Sequence, residues 1–102
     1  MATPWLPRAL KRITELAAER NVAFTLKALR ELVALDLDQD DACEVLAELT
    51  AADFVERQRS VVTGEWLYVF KPGFAGTLLY VKVAVRANCV LISFHEDEEE
   101  LE

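Results

Sequence analysis

The chain has 102 residues, 53% hydrophobic and 28% charged, with a formal charge of −7. That balance fits one compact domain with a modest core and excludes a disordered chain or a two-domain protein. No apolar run approaches the roughly 18–20 residues of a membrane span, and Met1 to Leu10 lacks a signal peptide's apolar centre, so a soluble cytoplasmic protein with no membrane partner is expected.

The charge is unevenly placed. Six of the 18 acids lie in residues 96–102, whereas residues 1–95 carry 11 basic and 12 acidic side chains. A near-neutral domain with an acidic tail can still present a basic surface. Leu101 and Glu102 read as a cloning remnant and receive no function. Cys43 and Cys89 form no CxxC pair and too small a set for a disulfide framework, so both are expected to be buried thiols.

In chain order, Leu10, Ile13, Leu16 and Ala17 recur at helical spacing from Pro7 to about Arg20, and Pro7 suits a first turn. Asn21 to Phe24 fits a brief edge strand. Thr25 is an expected N-cap for a second helix with Leu26, Leu29, Leu32 and Val33 as its apolar stripe, ending near Leu35. Asp38 to Asp41 supplies a cap and first-turn negative charge for a third helix carrying Ala42, Val45, Leu46 and Leu49. The period then becomes two, with strands expected at Phe54 to Val62, Trp66 to Phe70, Thr77 to Val85 and Cys89 to Phe94. Reversals fall at Thr63-Gly64, Pro72-Gly73 and Ala87-Asn88. The expectation is an α+β domain: three N-terminal helices packed on a C-terminal antiparallel sheet of about four strands.

Alternation assigns faces. Leu79, Val81, Val83 and Val85 should meet the helices, leaving Tyr80, Lys82, Ala84 and Arg86 outside. In the last strand Val90, Ile92 and Phe94 look core-facing, with Cys89, Leu91, Ser93 and His95 opposite. Arg57 and Arg59 share one side of their strand and Glu56 takes the other. A phenol, several cations and the sole histidine on an open sheet face suit phosphate handling, although an antiparallel sheet ordinarily has a solvated face where such residues are unremarkable. Trp66, Tyr68 and Phe70 alternate on one side and fit either a core or a base-stacking surface.

Several segments together resemble the MqsR family of toxin–antitoxin ribonucleases: Leu35-Asp36-Leu37-Asp38, Leu49-Thr50-Ala51-Ala52-Asp53-Phe54, Trp66, Val69-Phe70-Lys71-Pro72, Tyr80-Val81-Lys82 and Val90-Leu91-Ile92-Ser93-Phe94. The resemblance implies a RelE-like domain over residues 1–95, with the acidic residues 96–102 beyond it. It also implies metal-independent, sequence-selective cleavage of mRNA by 2′-hydroxyl attack, without a cofactor. The implied partners are mRNA and a cognate antitoxin protein, with operator DNA reached only through the antitoxin. One histidine and two separated cysteines offer no metal-ligand cluster.

The family's strand tyrosine falls on Tyr80. Its lysine after the last strand's Ser-Phe falls on His95, a residue type suited to general acid work near neutral pH. Its lysine after Asp-Phe falls on Glu56, a charge reversal that offers instead a carboxylate base, and its glutamine after the tryptophan falls on Leu67. The implied catalytic set is Tyr80, His95 and Glu56, with Arg57, Arg59, Lys71, Lys82 and Arg86 as RNA-binding cations. Arg57 and Arg59 fit phosphate clamps or pairs with Glu56 or Glu65. Two other readings stand beside the ribonuclease: a noncatalytic, antitoxin-binding homologue that has lost cleavage through Glu56 and Leu67, and, more distantly, a DNA-binding factor, although the helices lack a basic recognition face. The acidic tail is either solvated charge or a mimic of RNA lying over Tyr80, Lys82 and Arg86.

Overall fold

A computed structural model of the chain describes residues 4–97. Three helices, α1 (Trp5–Ala18), α2 (Leu26–Ala34) and α3 (Gln39–Ala47), precede a 3-10 turn (Ala51–Asp53). The strands are β1 (Val22–Phe24), β2 (Phe54–Arg59), β3 (Trp66–Phe70), β4 (Gly73–Phe74), β5 (Thr77–Val85) and β6 (Cys89–Glu96). They form one sheet in the order β1-β6-β5-β3-β2, with the two-residue β4 pairing β5 off this path.

The α+β class and the helices-then-sheet order are as expected, but the sheet is larger and mixed. β1 pairs in parallel with β6, because the chain enters the sheet before α2 and reaches β6 only after all other strands are laid down. β2, β3, β5 and β6 form the expected antiparallel meander. Pro72-Gly73 does not close the next reversal by itself. Instead the chain adds β4 and turns through Ala75-Gly76, whose φ values of 53° and 83° make a left-handed two-residue hairpin between Phe74 and Thr77.

Local capping follows the sequence. The Thr25 side chain accepts from the Ala28 N–H, and Asp38 and Asp41 exchange hydrogen bonds in a capping box. The core gathers Ile13, Leu16 and Ala17 of α1, Ala28 and Leu32 of α2, and Ala42, Leu46 and Leu49 around α3 against Phe70, Leu79, Val81, Val83, Leu91 and Phe94 of the sheet. The expected stripe of α2 is only half realised: Leu26 and Val33 are exposed, at 62% and 77%, and Ala28 takes the buried position beside Leu32. The nine-residue α2 lies along β6, so a narrow face suffices.

The last strand departs from simple alternation. Lys82 pairs with Ser93 but Val83 pairs with Leu91, leaving Ile92 as an extra residue in a bulge. The bulge reverses alternation, so Cys89, Leu91 and Phe94 join the helical core while Val90 pairs with Ala84 on the other face, which corrects the expected parity of Cys89 to Leu91. Both Cys43 and Cys89 are buried free thiols. No helix of the described residues is long and apolar enough to cross a membrane.

Candidate functional site

Register assigns the residues of the face turned away from the helices. One row runs Glu56, Val69, Lys82, Ser93 across β2, β3, β5 and β6; a second runs Gln58, Leu67, Ala84, Val90; and Tyr80 pairs with His95 at the outer end of β5 and β6. Val69 and Ala84 are fully buried, forming an apolar floor between the polar groups.

Tyr80 and His95 are stacked, with centroids 5.1 Å apart and planes 11° from parallel. Strand pairing alone brings them together, and the bulge at Ile92 keeps His95 on this side after Leu91 has pointed to the core. His95 Nδ1 lies 2.8 Å from the Glu96 carbonyl oxygen. A carbonyl only accepts, so Nδ1 carries hydrogen and Nε2 is left to exchange a proton with a ligand. The Lys82 Nζ sits 6.0 Å from the Tyr80 ring centroid, adding positive charge beside the pair.

Sequence reasoning missed Lys27. Near the start of α2 its Nζ donates to Ser93 Oγ at 3.0 Å and to Glu31 at 2.7 Å. Glu31 also accepts from the Phe94 N–H at 2.8 Å, so α2 is pinned to β6 by a carboxylate that itself positions the lysine. Burial works against the charged Glu31, but the Lys27 and Phe94 hydrogen bonds and the charges of Lys27 and His95 prevail and hold its carboxyl below the usual range. Only the 66-residue separation of Lys27 and Ser93 hid this contact; no local pattern carries it.

The other expected residues are dispersed. Glu56 shares the face of Tyr80 but lies on β2, three strand spacings or roughly 14 Å from the β6 backbone of His95, and its carboxylate accepts from Gln58 at 3.0 Å. The expected Glu56–His95 acid–base pair is therefore not assembled. Arg57 and Arg59 lie on the helix side: Arg57 is sandwiched between Trp5 and Trp66 at 3.9 and 3.8 Å, and Arg59 stands 4.2 Å over Trp66. Neither pairs with Glu56 or Glu65. Their strand's alternation separates them from Glu56 as expected, and thereby from Tyr80.

Lys71 makes an ion pair with Asp97 at 3.2 Å, both side chains largely buried, and the Asp97 N–H donates to the Leu78 carbonyl. Asp97, counted with the tail, is thus part of the fold; the remaining tail, 98–102, lies outside the described residues. Arg86 is bound by two hydrogen bonds to Glu65 at 2.6 and 3.0 Å, and the guanidinium holds that carboxyl below the ordinary range. It follows β5, about 20 Å along the strand from Tyr80. The three aromatics of β3 divide: Phe70 is core, Tyr68 edges the core, and Trp66 stacks with arginines. No group of three or more metal-ligating side chains occurs among the described residues.

A family model described as "Motility quorum-sensing regulator, toxin of MqsA" matches residues 7–96. The chain belongs to the MqsR toxin family. The match covers every helix, strand and loop of the described fold except the start of α1 and Asp97, so the MqsR toxin assignment embraces both the open face and the helical layer. Among curated proteins none matches this chain.

Proposed function

We propose that this MqsR-family chain is a metal-independent endoribonuclease toxin of a toxin–antitoxin system, acting on mRNA in the cytoplasm and restrained by an antitoxin protein. The observation that carries the reading is the Tyr80–His95 stack with Lys82 beside it on an open sheet face. Family membership adds the toxin class, and the words "toxin of MqsA" in the family's description support the antitoxin partner.

The reaction begins with the ribose 2′-oxygen attacking the adjacent phosphorus, its proton leaving to water on this open face. The P–O5′ bond breaks, giving a 2′,3′-cyclic phosphate. The 5′-oxygen takes a proton from the protonated His95 Nε2, while Nδ1–H remains on the Glu96 carbonyl. The Tyr80 hydroxyl donates to a phosphate oxygen, and the Lys82 and Lys27 ammonium groups stabilise the charge that grows there. Glu56 stands where the resemblance implies a lysine, and Lys27 brings a cation to the opposite edge of the face. Glu56 contacts RNA away from the scissile phosphate, and Glu56→Gln is expected to keep most activity.

The experiment is incubation of the chain with a long single-stranded RNA in EDTA, with 5′- and 3′-end mapping. His95→Ala is expected to slow cleavage by about 10²–10⁴, the usual contribution of a general acid, and Tyr80→Phe to slow it less. Equal cutting in all samples would overturn the assignment of this site. No cutting by folded, antitoxin-free protein would favour the alternative, a noncatalytic antitoxin-binding homologue altered at Glu56 and Leu67.

A further inference from the structure

The opposite face of the sheet holds a concentration of positive charge that the cleavage site does not use. Lys11, Arg20, Lys27, Lys71 and Arg86 each have a carboxylate within ion-pair distance. Among the described residues Arg8, Arg12, Arg30, Arg57, Arg59 and Lys82 have none, although acids outnumber bases 18 to 11 in the chain. Lys82 belongs to the face of Tyr80 and Arg30 to α2. Arg8, Arg12, Arg57 and Arg59 gather on one side of the molecule, around Trp5.

Arg8 and Arg12, one turn apart on α1, line an open groove of about 490 Å³ whose other walls include Trp5, Tyr68 and Val85. Arg12 reaches only backbone carbonyls, those of Arg86 and Ala87 at 3.4 and 3.5 Å. The groove continues through Trp5 into a stack in the order Trp5, Arg57, Trp66, Arg59. Arg59 closes that stack from the outside, exposed and anchored to the Gly64 carbonyl at 2.9 Å. Guanidinium planes alternating with aromatic rings leave both a charged edge for phosphates and a planar face for bases.

We propose that this groove between α1 and the β2–β3 hairpin is a second binding site, for a single-stranded polynucleotide. An acidic protein segment would satisfy the charge but leaves the interleaved rings without a role, whereas base stacking with phosphate neutralisation uses both. Because Tyr80 and His95 lie on the other face, the groove holds a stretch of strand outside the cleavage point; that it is the substrate's flank rests on the ribonuclease reading.

The chain's two tryptophans, Trp5 and Trp66, both belong to this site, so their fluorescence reports on it directly. The probe is a 20-nucleotide oligothymidylate, which has no 2′-hydroxyl and cannot be cut. Titration at low salt is expected to quench the tryptophans, with affinity falling as salt rises. Arg8→Glu with Arg12→Glu should weaken binding tenfold or more and make the logarithmic salt slope shallower by about 1.4, at ~0.7 for each single-strand phosphate left without its cation. Arg30→Glu, on the exposed side of α2, should quench as the parent does. Circular dichroism of the double variant establishes that it is folded; should it be unfolded, Arg59→Glu replaces it, with the same weakening expected. Absence of quenching, equal affinity in the folded charge-reversed protein, or equally tight binding of poly-L-glutamate would overturn the proposal. Quenching without RNA cleavage would defeat the ribonuclease reading and leave the groove, and the reverse result would do the opposite.

Discussion

Cys89 shows how one side chain's environment sets its chemistry. Its thiol is fully buried at the start of β6, and burial first, then the nearby Cys43, push its pKa up to about 12. A thiol held neutral is a poor nucleophile. Iodoacetamide at pH 8 is therefore expected to leave Cys89 unlabelled in the folded chain and to label it after denaturation, as peptide mass mapping would read. Rapid labelling of native Cys89 would contradict the packing described. Because the folded pKa is raised, the associated stability is complete below the ordinary thiol range and is lost as pH climbs towards about 12. At this scale, sequence reading identified both buried thiols and the Tyr80, Lys82, Ser93, His95 face. It left Arg57 undecided between phosphate and carboxylate, and its actual partners, Trp5 and Trp66, belong to neither class.

At the scale of elements, two junctions invite measurement. The β4–β5 turn places Ala75 at φ 53°, a left-handed conformation that costs an L-residue with a Cβ roughly 1 kcal/mol. Ala75→Asn supplies the Asn-Gly pair favoured in such turns and is expected to raise stability by about 0.5–1 kcal/mol in urea unfolding. The α2–β6 junction depends on ionised Glu31. Its folded pKa is lowered, so its stabilisation is present above the ordinary carboxylate range and disappears as pH falls through the depressed value. Glu31→Gln should be less stable than the parent at pH 7, and the gap should close in melts taken at progressively lower pH. A constant gap would show that the ion pair with Lys27 adds nothing. Helix caps at Thr25 and Asp38 and all four meander strands were legible because each depends on neighbours in sequence. The parallel β1–β6 pairing, the short β4 and the bulge at Ile92 were not, since register depends on what the strand meets.

Across the whole molecule, Lys71 and Asp97 tie the end of β3 to the chain beyond β6, past the level of Tyr80. Asp97 is 5% exposed at its side chain. Asp97→Ala removes a largely buried partner of Lys71 and is expected to cost about 1.5–3 kcal/mol, measured as a lowered urea midpoint at unchanged m. Asp97, the first residue after the last strand, thus carries a structural role that an all-solvated acidic tail would not give it. Unchanged stability would return Asp97 to the solvated class.

By itself the sequence determined the α+β class, the order of helices before strands, the caps and the inward parity of β5, because periodicity and capping act over a few residues. Its segments also carried the resemblance that the family match bears out. Tertiary structure alone decided which charges share a surface. It moved Arg57 and Arg59 away from Tyr80 and brought in Lys27 from α2. It also set Glu56 apart from His95, and paired Lys71 with Asp97. Those placements depend on strand order, register and one extra residue in β6, and a single residue of slip in any strand would turn every side chain beyond it to the other face.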